Sequence, residues 1–328
     1  MNRLTLSVCC MLLAFSAEPV YAAQPAAAPA ALPAIAKPAP ALPQPNPNAN
    51  LNLDLAYGAY QRGYYITALG EARKRLAANP NDGPAMTLIG QLFDQGLGVV
   101  TNAREAAAWY KAAAEHGDRE GIFLYGLAKL TGNGVAQDRD GAAALFTKAA
   151  AMDDPGALYN LGVLALETPK RAPDFPKAAD YFRRAAVLGS PDAAYSLALF
   201  YREGKGAPQD DVMAAEWMKQ AADEGQVSAE VEYAIMLFNG VGVAKDEAAA
   251  AKLFLKAAAR NNVVAQDRAA RLLALGRGIQ KDVVEAMKWH LLASAAGEKD
   301  AWLDGILNSL TPEQKIEVEV AVKRALAR

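Results

Sequence analysis

From residue 85 onward the apolar positions recur with a helical period, and the whole pattern returns every 36 residues. Six blocks of equal length follow without insertion or deletion: 85–120, 121–156, 157–192, 193–228, 229–264 and 265–300. Such an array predicts stacked helical hairpins, because one short hairpin cannot bury its apolar face without a neighbour. Solenoids present a long surface and usually no reaction centre, so the pattern points to binding before catalysis.

The block positions have packing reasons. The sixth holds Gly90, Gly126, Gly162, Ala198, Ala234 and Ala270, small residues that let helix backbones approach. Each follows Ile89, Tyr125, Leu161, Leu197, Tyr233 or, in the weakened last block, Ala269. Later comes an alanine (Ala106, Ala142, Ala178, Ala214, Ala250, Ala286), and four residues on a large one: Tyr110, Phe146, Phe182, Met218, Phe254 or His290. Small opposite large interlocks two helices, and the i, i+4 spacing keeps the second pair on one face.

Between the two helices, four blocks read Gly-x-Gly-[Val/Ile], from Gly96, Gly132, Gly240 and Gly276, and a fifth reads Gly204-Lys205-Gly206-Ala207. The first glycine can end helix A in the left-handed region, with the apolar residue tucked back under the hairpin. Asn102, Asp138, Asp210, Asp246 and Asp282 then stand where they can accept the free amides of helix B. Each block therefore reads helix A, turn, cap, helix B, often with a closing glycine such as Gly117, Gly189, Gly225 or Gly297.

Leu-Gly-x-Leu-Tyr, Gly-x-Gly-Val, Asp and a terminal Trp-Tyr-x-x-Ala-Ala-x-x-Gly together resemble the Sel1-like repeat, a longer-looped relative of the tetratricopeptide repeat. The resemblance covers residues 85–300 and implies an all-α, right-handed superhelical solenoid of α/α hairpins that binds other proteins without catalysis. Exported members imply roles in cell-envelope assembly, exopolysaccharide secretion or its control, and host contact. Some Sel1-like proteins have been linked to β-lactam binding or hydrolysis, but those carry regular cysteine pairs that this chain lacks.

Residues 51–84 read as a tetratricopeptide-like capping hairpin, with Ala68, Ala72 and Leu76 on its second helix and Asn79-Pro80-Asn81-Asp82 as stop and restart. Residues 301–328 read as C-terminal capping helices, the second opening at Thr311-Pro312-Glu313. Its Ile316, Val320 and Val322 are expected to cover the last hairpin.

Residues 1–22 have the form of a signal peptide: a charge at Arg3, an apolar run from Leu4 to Phe15, and Val20-Tyr21-Ala22 before a cleavage point after Ala22. The run is too short for a stable membrane anchor. Cys9 and Cys10 are the only cysteines and would leave with the leader. Bulky Val8 before Cys9 and a further apolar stretch after it argue against a lipoprotein signal. Residues 23–50, rich in Ala, Pro and Asn with Lys37 as their only charge, predict an extended linker. The expected location is the bacterial periplasm or beyond.

Thirty-four Lys and Arg against 36 Asp and Glu, without long runs, leave no electrostatic footprint for nucleic acid. Catalytic and metal chemistry is thin, and no cofactor is expected. His116 and His290 lie in distant blocks; His290 takes the place of the helix B aromatic and reads as a half-buried packing residue. Asp153-Asp154 and Asp210-Asp211 fall at turns where capping accounts for them. Trp109, Trp217 and Trp289 share one helix B position and read as core, which weakens the alternative of a peptidoglycan or polysaccharide binder.

The candidate binding face is a stripe at the third, seventh and tenth block positions of helix A, on the inner wall by analogy with tetratricopeptide arrays. It begins with Thr87, Gln91 and Asp94 and becomes apolar through Phe123, Leu127, Leu130, Tyr159, Val163, Leu166, Tyr195 and Leu199, then Arg202, Val231, Ile235 and Phe238. Two readings remain: a groove for a peptide or partner helix, or a stripe buried between adjacent A helices. Block 157–192 replaces Gly-x-Gly by Thr168-Pro169-Lys170-Arg171-Ala172-Pro173, which reads either as a neutral loop variation, length and cap being preserved, or as a contact for an acidic partner through Lys170 and Arg171. An envelope protein or peptide of unknown identity is the expected partner.

Overall fold

The computed structural model describes residues 54–167 and 172–327. Among them all regular structure is helical, sixteen helices and no strand. The leader, the whole linker, and Lys170 and Arg171 lie outside the described residues. An N-terminal hairpin, α1 (Leu55–Gln61) and α2 (Tyr65–Ala78), precedes six A/B hairpins. These are α3 (Gly83–Gln95) with α4 (Ala103–Glu115), α5 (Arg119–Thr131) with α6 (Arg139–Ala150), and α7 (Pro155–Leu166) with α8 (Phe175–Val187). There follow α9 (Pro191–Glu203) with α10 (Asp211–Asp223), α11 (Val227–Asn239) with α12 (Glu247–Ala259), and α13 (Val263–Leu275) with α14 (Val283–Ala295). The chain closes with α15 (Ala301–Asn308) and α16 (Pro312–Leu326), the latter packed on α14.

Two periodic sets of caps drive the helix starts. Asn102, Asp138, Asp174, Asp210, Asp246 and Asp282 each accept a backbone amide at the start of a B helix. Asp82, Asp118, Asp154, Ser190, Gln226 and Asn262 do the same for the A helices. Each satisfies one amide that the first turn of a helix leaves free. The B caps also close the turn: the amide of Asn102 donates to Phe93 O at 2.9 Å, and that of Asp282 to Leu273 O at 3.0 Å. The bond survives in the block without Gly-x-Gly, where Asp174 N donates to Ala165 O at 3.0 Å.

The first glycine of each Gly-x-Gly ends its A helix in the left-handed region, as Gly132 does at φ 76°. The second has a different reason. A Cβ on Gly134 would lie 2.0 Å from Ala103 O, and one on Gly242 1.9 Å from Asp211 O. Ala103 and Asp211 open the B helices of the preceding repeats, so this glycine lets one repeat's turn rest on its neighbour. The end of each B helix turns through a positive φ at Gly117, Gly189, Gly225 and Gly297, and at Asp153 (φ 55°) and Asn261 (φ 61°), all in one block position.

Small-to-large interlocking is direct. A Cβ on Gly90, Gly126 or Gly162 would come within 2.5–2.7 Å of the ring of Tyr110, Phe146 or Phe182. Those rings are buried, and Phe146 and Phe182 belong to a core column that runs on to α16. The C-terminal cap differs from expectation. Val318 is the residue of α16 buried against the last hairpin, at 1% exposure, with Val322 packed beside it, while Ile316 and Val320 are 63% and 41% exposed. The pattern of alternating valines and glutamates in Ile316–Val322 does not by itself choose the inward face, and packing on α14 chose the Val318 side.

Candidate functional site

The A-helix stripe comes together as a continuous but partly filled face. Phe123, Leu127, Tyr159, Val163, Tyr195, Leu199 and Ile235 are each half-buried and packed on the core column. The stripe is thus intermediate between the two readings, with each side chain seated on the core and one part left to solvent. Tyr159 lies 5.5 Å from Phe182 and Phe123 lies 6.0 Å from Phe146, ring centre to ring centre. Burial first, and Asp192 second, push the Tyr159 phenol up from its ordinary pKa. Arg202 is not a free cation: its Nη1 donates to Glu232 Oε2 at 2.8 Å, tying α9 to α11.

Both ends of the stripe carry charged side chains. At the N-terminal end a recess of ≈ 510 Å³ is lined by Tyr57, Tyr60, Gln91, Asp118 and Glu120. Asp118 accepts Thr87 Oγ1 at 2.6 Å while capping α5. Partial burial, then Asp154 and Asp118, raise the pKa of Glu120. At the C-terminal end a recess of ≈ 340 Å³ lies between α11 and α13, floored by Ile235, Phe238, Leu272 and Leu275. Arg268, Arg271 and Arg277 stand around it, and the Arg277 guanidinium sits 4.5 Å above the Phe238 ring. Of these arginines only Arg271 was legible by carrying the stripe into the sixth block, where it reads Asp267, Arg271 and Ala274; Arg268 and Arg277 lie off the stripe positions.

Residues outside the stripe have structural partners. His290 is 2% exposed, more deeply buried than its position suggested, and its Nε2 lies 2.9 Å from Asp304 Oδ1. The bond ties α14 to α15, and sequence gave no signal for it because the partner lies beyond the last repeat. Trp289 is buried, Trp109 and Trp217 are half-buried, and Trp302 is exposed, with Arg271 5.6 Å from its ring. Asp154 and Asp210 are helix caps. Among the described residues no three His, Cys, Asp or Glu side chains converge to hold a metal, and no helix is long and apolar enough to cross a membrane.

The family profile described as Sel1 repeat matches six times, at residues 83–118, 120–154, 155–190, 191–226, 227–262 and 263–298. Its first repeat begins where α3 begins, at residue 83. Among solved structures, the chain is similar to a Sel1 repeat protein from Oxalobacter formigenes, at 29% identity and a TM-score of 0.66, over 74% of this chain and 98% of that one. It is equally similar in fold to a protective antigen present in uropathogenic Escherichia coli strains, at 27% identity and a TM-score of 0.66. That match covers 78% of this chain and 56% of the antigen, so the chain spans little more than half of the antigen's length. No curated protein matches the sequence.

Proposed function

The chain belongs to the Sel1 repeat family, and from that premise we propose that its A-helix stripe is a groove for a segment of another protein. Sel1 repeat proteins generally act as protein-interaction scaffolds, and the repeat solenoid is generally non-catalytic. The observation that supports the groove is the run of half-buried aromatic and aliphatic side chains from Phe123 to Leu199 on three consecutive A helices, ahead of the ion-paired Arg202. Side chains already seated on a core lose little conformational freedom on binding, and their remaining apolar surface rewards contact. A glycan binder would present ring faces, whereas Trp109, Trp217 and Trp289 are half-buried or buried in the array.

On this reading the protein is an exported, non-catalytic scaffold of the bacterial envelope, acting in envelope assembly, exopolysaccharide regulation or secretion. Protein sequencing of the exported chain is expected to start near Ala23. To test the groove, a photoreactive residue at Leu199 would be cross-linked in intact cells, the partner identified by mass spectrometry, and binding rebuilt from purified components. Replacing Tyr159, Tyr195 and Leu199 together by serine is expected to abolish that binding while the helical spectrum persists, since binding energy concentrates in a few apolar contacts. Undiminished binding by the triple variant would remove the stripe as the site.

A further inference from the structure

The C-terminal recess carries a more specific message. Its cations outnumber its carboxylates: Lys245 and Arg277 share Glu247, while Arg271 is held between Asp267 and Asp300. Arg268 is left over. It is exposed, it lines the recess, and it makes no hydrogen bond or ion pair within the described residues. Below it the floor is apolar, with Ile235 and Phe238 half-buried and Leu275 54% exposed. A positive charge without a hydrogen-bonded partner, drawn only by the adjacent Asp267 that Arg271 already engages, therefore stands beside an open hydrophobic seat.

We propose that this recess captures the C-terminus of a partner polypeptide, with the terminal carboxylate on Arg268 and a large aliphatic or aromatic last side chain on the Phe238–Leu275 floor. The inference rests on the groove reading and names the chemistry of its anchor. Two features favour a chain end over an internal acidic segment. A recess of ≈ 340 Å³ is near the lower bound of ligand sites, roughly 300 Å³, and holds about one large residue. A terminal residue supplies carboxylate and apolar side chain together, with one backbone strand leaving along the stripe. An internal Asp or Glu next to an apolar residue needs room for two side chains and two departing strands. The arginine fork also matches a carboxylate better than a point charge would, since it donates two parallel N–H bonds.

The test uses the full chain and three fluorescein-labelled nonapeptides of one sequence: ending in Ala-Leu with a free carboxylate, the same peptide amidated, and one ending in Ala-Ser with a free carboxylate. Fluorescence polarisation is expected to show the Leu acid binding about tenfold more tightly than the amide, a charge-assisted bidentate bond being lost. The Ser acid is expected to be weaker as well. Arg268→Gln should bring the Leu acid down to the level of the amide and leave the amide unchanged. The variant should fold normally, because the exposed side chain makes no hydrogen bond and Asp267 keeps Arg271 as its ion-pair partner. Leu275→Ser should weaken the Leu acid and spare the Ser acid. Equal binding of acid and amide, no binding by either, or a preference that survives Arg268→Gln would overturn the proposal. The groove itself would still stand in those cases if the Tyr159, Tyr195 and Leu199 triple variant loses its reconstituted partner.

Discussion

Gly162 lies so close to Phe182 that a Cβ in its place would meet the ring at 2.5 Å. Phe182 cannot easily withdraw. It is 2% exposed, and its ring centre lies 5.5 Å from those of both Tyr159 and Phe200. The close approach of α7 and α8 at the middle of the array thus depends on one missing methyl group.

Gly162→Leu is therefore expected to destabilise the protein by ~1–3 kcal/mol or more through overpacking, read as a lower urea midpoint. Gly162→Ala isolates the contact. Its helix propensity favours alanine by ~1 kcal/mol, so any net loss measures the clash. The next repeat places Ala198 and flexible Met218 at the same two positions. Adding Phe182→Met to Gly162→Ala should consequently lose less than the sum of the single changes, a coupling typical of residues in contact. Additive losses would mean that the two side chains do not touch.

The repeat frame made this pair legible, because both partners recur at fixed block positions and their size relation is visible in the letters. The caps Asn102, Asp138, Asp210, Asp246 and Asp282 were legible for the same reason. Asp153 and Asn261 were harder. They occupy the closing-glycine position with positive φ, as Asp and Asn tolerate, so Asp153 is a turn residue and only its neighbour Asp154 is a cap. What sequence does not reveal is pairing between repeats, such as Arg202 with Glu232, or how far each stripe residue sinks between adjacent A helices. Those depend on how the helices are rotated against each other, and periodicity alone does not determine that rotation.

Glu230 shows the cost of one such departure. Its block position holds Met86, Ile122, Leu158 and Ala194 in earlier repeats, yet here a fully buried carboxylate has its Oε1 2.7 Å from Lys256 Nζ and 3.1 Å from Arg260 Nη1. Its Oε2 is buried without a hydrogen bond to protein. Lys256 and Arg260 are half-exposed and can turn to water once the carboxylate is gone, so Glu230→Leu is expected to be neutral or stabilising by about 1 kcal/mol, the low end for replacing a buried pair. Removing Lys256 and Arg260 together leaves the carboxylate alone and should destabilise. Their half-exposure keeps the loss below the ~3–5 kcal/mol of a fully buried pair. Thermal melts that rank Glu230→Leu below the Lys256→Ala/Arg260→Ala variant would contradict this account.

Glu120 provides the pH test at the opposite end of the stripe. Burial, with Asp154 and Asp118 nearby, raises its folded pKa above the ordinary 4.5, and Arg119 opposes the shift. A carboxyl whose folded pKa is raised binds its proton more tightly in the native state, so the ionised form costs stability. That cost is fully present above the folded pKa, is relieved as pH falls through it, and has vanished below 4.5. Glu120→Gln should therefore melt slightly above the wild type at pH 7.5, with the difference shrinking steadily on acidification and gone by about pH 4. The gain is small because, although surrounding protein crowds the carboxyl enough to raise its pKa, the residue keeps much of its surface in water, which screens the effect. A constant difference across that range would assign the effect to packing, and a lower melting point at pH 7.5 would show that the carboxylate has a stabilising partner in the folded protein.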